Sequence, residues 1–323
     1  MTKSNIPFNK FYKLFNILSL FLILISFLLL IFKGLNFGVD FKGGTLIEVR
    51  SLDKSLNISD LRKSFKNLDL GDVSVKKFGK DNDYVVKFEK KQSIEENFIE
   101  NIKIELRKDI GNVFEFRRVE SVGPKVSAEL LKSGVIAIAL SLGAMLIYIW
   151  IRFEWQFSLG AIAALFHDII ITLGFFSMLS LEINLSIVAA VLTIVGYSMN
   201  DTVVIFDRVR ENLKKFSDIK IYDITNISIN ETLSRTIITS MTTLLALLSI
   251  FIFGGAILKG FSFAMILGVI VGTYSSIYIA NPILIRLNVT QKTILKEEKE
   301  LININFVQLP LLTTLVKKEE YWF

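Results

Sequence analysis

Six stretches of the chain are apolar over a length that crosses a bilayer, which takes roughly 20 helical residues. They cover residues 14–32, 133–151, 157–179, 185–206, 237–255 and 261–283. The first follows lysines and shows no small-residue cleavage site after it, so we interpret it as an uncleaved membrane anchor rather than a signal peptide. The pattern predicts an α-helical membrane protein with six transmembrane helices.

The distribution of lysine and arginine predicts the orientation of these helices. Cationic residues precede the first predicted span and fill the connection between residues 207 and 235, whereas residues 180–184 carry none. Because short loops rich in lysine and arginine stay on the cytoplasmic side, both termini are expected in the cytoplasm. We therefore expect a multi-pass protein of the cell inner membrane with residues 34–132 outside.

The polar segment at residues 34–132 is predicted to form one small α+β domain. Its pattern changes in the order strand, helix, strand, strand, helix, strand, which is typical of a ferredoxin-like arrangement. Phe114 and Phe116 alternate with charged residues, so packing in the domain core is favoured over stacking on RNA. The elements are residues 45–50, 58–65, 72–78 and 84–88, a helix opened by the capping box Ser93-Ile-Glu-Glu96, and residues 113–119.

These segments define the predicted organisation of the chain. Residues 1–33 form the cytoplasmic N-terminus and the first transmembrane helix, and residues 34–132 form a periplasmic ferredoxin-like domain. Residues 133–285 form a five-helix transmembrane bundle, and residues 286–323 form a cytoplasmic C-terminal tail. The tail shows no pattern that predicts a role.

The composition excludes several kinds of chemistry. Of the 323 residues, 52% are hydrophobic, none is cysteine and one is histidine, His167. Disulfides, thiolate nucleophiles, Cys-ligated metals and His-rich metal sites are thereby excluded. No nucleophile–base pair can be assembled, so we expect neither an enzyme nor a cofactor. The net charge of +6 is interpreted through topology, and no nucleic-acid partner is expected.

Two glycine motifs bracket the outer segment. Gly38-Val-Asp-Phe-Lys-Gly-Gly44 precedes a strand, which favours a turn with positive φ over a phosphate-binding loop, whose glycines open a helix. Ser121-Val-Gly-Pro124 stands before the second span, where Gly-Pro is typical of a helix start. Both motifs are interpreted as structural.

Asp201 lies in an apolar segment, and Arg235 stands just before the next predicted span. Charged residues inside a membrane usually face a bundle interior and mark an ion or proton path. The alternative is a helix cap, in which residues 196–200 break the helix and Asp201 starts a second one. A helix from Leu185 reaches Asp201 after about 24 Å, which favours a functional charge at a depth where Arg235 can pair with it.

His167 and Asp168 lie near the middle of the third predicted span. A metal-dependent phosphohydrolase needs several histidines and is excluded. For Asp168, a structural hydrogen bond inside the bundle and a role in a proton path both stay open, which makes it a secondary candidate. His167 is judged too close in sequence to share a helix face with Asp168.

Several of these motifs together resemble the SecF subunits of the bacterial Sec translocase. The resemblance rests on Gly38–Gly44, Val122-Gly-Pro124, GYSMNDTVVIFDRVREN at 196–212, ETLSRT at 231–236 and Asn281-Pro282, and it covers about residues 10–286. The Gly-Val-Asp-Phe part is shared with the sister subunit SecD. The long outside domain typical of SecD is missing, which favours SecF.

The resemblance implies an auxiliary membrane subunit of the resistance–nodulation–division class. Such a subunit pairs with SecD and uses the proton-motive force to help exported preproteins leave the SecYEG channel at a late stage. At the matching positions, Asp201 is implied as the membrane acid of the proton path and Arg235 as its cationic partner. His167 and Asp168 also match the usual pair of the family, and Asp168 is kept as a secondary candidate for the proton path. The energy source is the proton gradient, with no cofactor.

The mechanism expected from this resemblance is a shift between two packings of the bundle. Protonation of Asp201 weakens its hold on Arg235, and the relaxed bundle moves the outer domain. Two rival functions stay open at this point. One is a proton-coupled small-molecule exporter of the resistance–nodulation–division type, of which this chain forms half. The other is a passive structural anchor for the translocase.

Overall fold

The computed structural model describes residues 6–52, 58–68, 70–77, 82–88, 98–111, 114–216 and 218–294. Within these ranges six helical segments are long and apolar enough to cross a membrane. They are α1 (Phe8–Phe32), α5 (Pro124–Arg152), α6 (Trp155–Met178), α7 (Leu185–Lys215), α8 (Ile221–Phe253), and a last segment composed of α9 (Gly255–Ser275), a π-helical turn (Ser276–Ala280) and α10 (Asn281–Arg286). The six predicted spans are confirmed as helices.

Three of these helices extend well beyond the apolar stretches that predicted them. Helix α5 begins at Pro124 rather than at residue 133, so the last residues assigned to the outer domain belong to this helix. Helix α7 continues past residue 206 to Lys215, and α8 begins at Ile221 rather than at residue 237. Polar side chains join the extensions of α7 and α8, since Asn212 Nδ2 donates to Ser228 Oγ at 2.9 Å. The predicted polar connection is therefore largely helical, and Arg235 lies inside α8 rather than at its start.

The helices divide into a central and an outer set. The apolar stretches of α6, α7 and α9 are half-buried within the chain, whereas those of α1, α5 and α8 are mostly exposed. Large side chains such as Phe157, Leu165 and Phe206 fill the centre. In a bilayer, the exposed apolar faces of the outer helices are free to contact lipid or a partner helix.

Small residues allow the central helices to approach closely. A Cβ atom on Gly268 of α9 would overlap the side chain of Ile194 of α7, and one on Gly160 of α6 would meet the carbonyl oxygen of Ala280 at 2.8 Å. By contrast, Gly143 on α5 has open space around it. The α7–α9 contact thus requires glycine at position 268, whereas position 143 on α5 has room for a larger residue.

The residues between α1 and α5 form a four-stranded antiparallel sheet with two helices. The elements are β2 (Gly44–Ser51), α3 (Ile58–Asn67), β3 (Val73–Lys77), β4 (Asp83–Phe88), α4 (Phe98–Ile110) and β5 (Phe114–Val122), in the predicted order. The strands are arranged β3-β4-β2-β5. The capping box at residues 93–96 lies outside the described residues, as do residues 78–81 between the two predicted strands at 72–78 and 84–88.

Both helices pack on the sheet and close a core of its own. Leu61 and Phe65 of α3 and Leu106 of α4 are almost fully buried there. Phe114 is buried in this core and Phe116 packs against it, which confirms the prediction made for the two rings.

A short parallel strand pair ties this α+β unit to the bundle. Strand β1 (Asn36–Phe37) pairs with β6 (Glu182–Ile183), which joins α6 to α7. Helix α2 (Val39–Lys42) follows, and Asp40 Oδ2 accepts the backbone N–H of Leu185 at 2.9 Å, at the first turn of α7. Lys87 of β4 and Glu182 form an ion pair across the same junction.

The glycine motif at residues 38–44 forms the turn that the sequence predicted. Gly43 and Gly44 both have positive φ, 78° and 113°, and strand β2 begins at Gly44. A side chain at Gly43 would also press on Ser127 Oγ of α5. Pro124 begins α5 with Gly123 as its N-cap, as expected for the second motif.

We expect Gly268→Ala to lower the stability of the chain by about 1–3 kcal/mol, because the added methyl overpacks the contact with Ile194. Gly143→Ala is the matched control and should be neutral or slightly stabilising, since alanine is the better helix former. Thermal unfolding of both variants in the same detergent, followed by circular dichroism, measures the difference. Equal midpoints for the two variants would contradict the close α7–α9 contact.

Candidate functional site

Asp201 lies inside the continuous helix α7, and its side chain is 3% exposed. The helix does not break at residues 196–200, so the interpretation of Asp201 as a helix cap is wrong. The carboxylate accepts a long hydrogen bond of 3.4 Å from Thr273 Oγ1 of α9. Thr273 Oγ1 in turn lies 2.8 Å from Ser240 Oγ of α8. Two hydroxyls therefore connect the acid to the neighbouring helix.

Arg235 lies on the exposed face of α8 and forms no direct ion pair with Asp201 within the part of the chain that the structure describes. Helices α7 and α8 run antiparallel, and the contact of Asn212 with Ser228 fixes their register. In this register Asp201 of α7 lies at the level of Ser240 of α8. Arg235 then lies about one helical turn from this level, toward the start of α8. Its charge acts on the Asp201 carboxylate from this distance, across the hydroxyls.

Asp168 is fully buried at the meeting point of three helices. Its Oδ2 accepts Ser198 Oγ of α7 at 2.5 Å and Ser275 Oγ of α9 at 2.8 Å. Its Oδ1 lies 2.8 Å from Nδ1 of His167, the residue before it. The expectation that His167 is too close in sequence to be its partner is wrong, because side-chain torsions bring the imidazole of an adjacent residue back to the carboxylate.

A second row of polar groups leads from His167 to α1. The imidazole stacks on the ring of Tyr274, with centroids 5.8 Å apart. The Tyr274 hydroxyl donates to the carbonyl oxygen of Phe15 at 2.8 Å and lies 2.6 Å from Ser19 Oγ. Among the described residues, Nε2 of His167 is buried without a hydrogen-bond partner. Polar groups thus cross the bundle from α1 to Asp168.

The π-helical turn begins directly after Ser275 and shapes this region. Ser276 Oγ lies 2.8 Å from Thr202 Oγ1 of α7, and Asn281 Nδ2 donates to the Ser276 carbonyl oxygen at 2.7 Å. Pro282 lacks an N–H, which removes one bond from the ordinary helical ladder at this point. Such π-helical turns are frequent at functional sites.

The two acids lie on different sides of α9. Thr273, which contacts Asp201, and Ser275, which contacts Asp168, are two positions apart, so they point about 200° away from each other around the helix. A rotation of α9 therefore changes both contacts at once. Of the described residues, no three His, Asp or Glu side chains converge in a way that can hold a metal ion.

A further cluster of charges joins α5, the turn before α6, α7 and α8 at the end of the bundle where α1 begins. Arg210 Nη2 donates to Oε1 of the buried Glu154 at 2.9 Å. Arg208 Nε donates to Glu231 Oε2 at 2.7 Å, and Arg152 pairs with Asp207. These contacts fix the polar extensions of the helices against one another.

The hydroxyl side chains that surround both acids were not predicted from the sequence. Three of them are serines in apolar stretches, where one serine hardly changes the mean hydropathy: Ser198, Ser240 and Ser275. The one available signal was spacing, since Ser198 and Thr202 lie within one helical turn of Asp201. Their partners on other helices depend on how the helices pack.

Comparison with known proteins places the chain among membrane proteins of protein export. The family model "Protein export membrane protein SecD/SecF, C-terminal" matches residues 102–290, and the model "SecD/SecF GG Motif" matches residues 28–51. The protein translocase subunit SecF of Rickettsia felis is 47% identical over 285 residues, which cover 87% of this chain and 92% of that protein. The subunit of the same name from Cereibacter sphaeroides is 43% identical over 290 residues, with coverage of 87% and 89%.

Solved structures of SecDF are also similar. The crystal structure of SecDF from Thermus thermophilus, described as a translocon-associated membrane protein, matches with a TM-score of 0.79 and 32% identity. The match covers 87% of this chain and 38% of that one, so the chain spans less than half of the SecDF protein. SecDF in a super-membrane-facing form gives a TM-score of 0.63 at 30% identity.

Removal of either serine that donates to Asp168 should destabilise the bundle. We expect Ser198→Ala and Ser275→Ala each to lower the stability by about 1–3 kcal/mol, because each leaves a buried carboxylate oxygen with one donor fewer. Ser249→Ala, which removes only a bond to the Leu245 carbonyl oxygen on the exposed face of α8, is the control. Thermal unfolding in detergent measures all three, and losses no larger than that of the control would contradict the role given to Asp168.

Proposed function

The chain belongs to the SecF family of protein translocase subunits, and on this premise we propose that it works with a SecD partner to drive late-stage protein export across the inner membrane at the expense of the proton-motive force. The relatives are named as translocase subunits and not as enzymes. The rival function of a proton-coupled small-molecule exporter is not favoured by these names.

The observation that carries the proposal is the placement of Asp201. An acid inside a membrane helix, 3% exposed and held by hydroxyls rather than by a direct cation, can exist with or without its proton. Intramembrane acids of this kind typically belong to proton paths. The hydroxyls of Thr273 and Ser240 lie next to each other and to the carboxylate, so Asp201 can change from one hydroxyl partner to the other.

In the proposed cycle Asp201 changes its ligands when it takes up a proton. The ionised carboxylate attracts Arg235 and the Thr273 hydroxyl, whereas the neutral acid releases the attraction to Arg235. At a proton-motive force of about 150–200 mV, one proton supplies about 3.5–4.6 kcal/mol. That free energy is large enough to bias two packings a few kcal/mol apart.

Helix α9 is the element through which the two acids are coupled in this proposal. It carries Thr273 toward Asp201 and Ser275 toward Asp168. If α9 rotates when Asp201 is protonated, the contact at Asp168 changes as well. Asp168 is therefore proposed as a second site of the proton path, with His167 as its partner.

The proposed topology has both termini in the cytoplasm and the α+β unit outside. The element order and the strand order β3-β4-β2-β5 are those of a ferredoxin-like domain. The junction at Asp40 and at the β1–β6 pair supports a domain that moves with α7. Preproteins leaving a SecYEG channel are the proposed cargo of this movement.

The exposed faces of the outer helices support a SecD partner. Arg235 lies on the exposed side of α8, next to apolar residues such as Ile238 and Met241. Charged residues of membrane helices almost always face a bundle interior or a water-filled cavity and pair with a polar group, so a second subunit is expected to enclose Arg235. The SecDF chains, which are more than twice as long as the region matched here, fit this pairing.

The first test is the substitution Asp201→Asn, assayed in inside-out membrane vesicles together with the native partner. We expect the variant to lose the part of preprotein export that depends on the proton gradient, because an amide cannot take up and release the proton. Asp207→Asn is the matched control on the same helix, since Asp207 forms an exposed pair with Arg152 and lies outside the bundle core. Full gradient-dependent export by Asp201→Asn would refute the proposal.

The second test separates the charge of Arg235 from its shape. Arg235→Lys keeps the cation and should retain a measurable part of the gradient-dependent export, whereas Arg235→Ala should lose it. Both variants are assayed beside Arg208→Lys, whose side chain pairs with Glu231 away from Asp201. Equal activity of Arg235→Ala and the unchanged chain would remove Arg235 from the mechanism.

A further inference from the structure

A groove beside the start of α1 takes no part in the proposed export cycle. It has a volume of about 490 Å³ and lies between the start of α1, the first turn of α8 and α10. Tyr222 of α8 closes it on one side, next to the buried Tyr12 of α1. The groove is at the end of the bundle opposite the sheet.

One face of α1 lines the groove along its length. Asn9, Lys13, Asn16 and Leu20 recur at intervals of three or four residues, which places them in one row on the helix. The opposite wall comes from α10, where Ile285 and Arg286 follow the π-helical turn by one turn of helix. Two separate parts of the sequence therefore build one surface.

The groove carries charge of a single sign. Lys10, Lys13 and Arg286 line it with exposed side chains, and no aspartate or glutamate does. Across the described ranges, none of the three forms an ion pair. Arg152 and Arg210, at the same end of the bundle, both have carboxylate partners. The three cations of the groove thus lack an anion that the described chain supplies.

Toward the middle of the bundle the same groove becomes apolar. Ile17 and Leu20 line it there and are 60% and 59% exposed. Along the groove, cations are followed by tyrosines and then by aliphatic side chains. This is the order of residue types found at a membrane interface. An occupant that matches both ends must combine an anionic head with an apolar tail.

We propose that this groove binds an anionic phospholipid. Its phosphate lies among Lys10, Lys13 and Arg286, where a guanidinium and two ammonium groups provide charge-assisted hydrogen bonds. One acyl chain follows Ile17 and Leu20 along α1. The bound lipid joins α1 to α10, the two helices that supply the cations. Basic pockets between membrane helices bind such headgroups in general. The inference is independent of the proposed export function.

The test uses the full chain in detergent micelles and counts retained lipid by native mass spectrometry. We expect the unchanged chain to retain dioleoyl-phosphatidylglycerol in preference to dioleoyl-phosphatidylcholine. The triple variant K10Q/K13Q/R286Q should bind the anionic lipid at least about tenfold more weakly, because its three phosphate partners are gone. The single charge reversal Lys13→Glu should also weaken binding.

The matched control removes the same charge from the same end of the bundle. K215Q/K220Q/K292Q changes three exposed lysines that do not line the groove, and it should bind phosphatidylglycerol as the unchanged chain does. Equal losses in the two triple variants would overturn the proposal, since binding would then follow net charge alone. Circular dichroism confirms that both variants are folded before the comparison.

Two further arms distinguish other occupants of the groove. The deacylated headgroup glycerophosphoglycerol should fail to compete with the lipid, and equal competition would make this a site for soluble phosphate esters instead. Glutamates 297, 298, 300, 319 and 320 stand in the C-terminal tail. If the chain bound phosphatidylglycerol only after these were changed to glutamine, the chain's own tail would be the occupant and the lipid proposal would be wrong.

Discussion

The packing of the membrane bundle depends on one buried carboxylate, that of Asp168. It collects hydroxyl donors from α7 and α9 on one oxygen and the imidazole of its own helix on the other. In a medium without water, a carboxylate left without donors is strongly unfavourable, so the three central helices must meet in the register that supplies them. The close approach of α7 and α9 at Gly268 is compatible with that register, because no side chain separates the two helices there.

Much of the fold could be predicted from the sequence because hydropathy and strand alternation are local signals. The six spans, the order of strands and helices between the first two, and the turn at Gly43 all depend on neighbouring residues. The polar end of α7 and the polar start of α8 could not be predicted. Hydropathy identifies segments that lie in lipid, and a polar segment can be helical without giving such a signal. Those ends are stabilised by contacts between helices, such as Asn212 with Ser228.

The site could be predicted only in part, for a related reason. An aspartate in an apolar stretch is conspicuous, which is why Asp201 and Asp168 were found. Their serine and threonine partners are not, because a hydroxyl is compatible with both lipid and protein surroundings. The pairing of His167 with Asp168 depends on side-chain torsions, and the separation of Arg235 from Asp201 depends on the α7–α8 register. Neither the pairing nor the separation can be inferred from the spacing of these residues in the sequence.

The junction at Asp40 gives α7 the mechanical character of a lever. Its first turn is fixed to the α+β unit by the bond from Leu185 to Asp40 and by the β1–β6 pair. Asp201 lies about 24 Å further along an unbroken helix. A rod of that length converts a tilt of about 10° at Asp201 into a displacement of about 4 Å at Leu185. A tilt too small to disturb the core is therefore amplified along α7 into a displacement of several ångström where the helix meets the α+β unit.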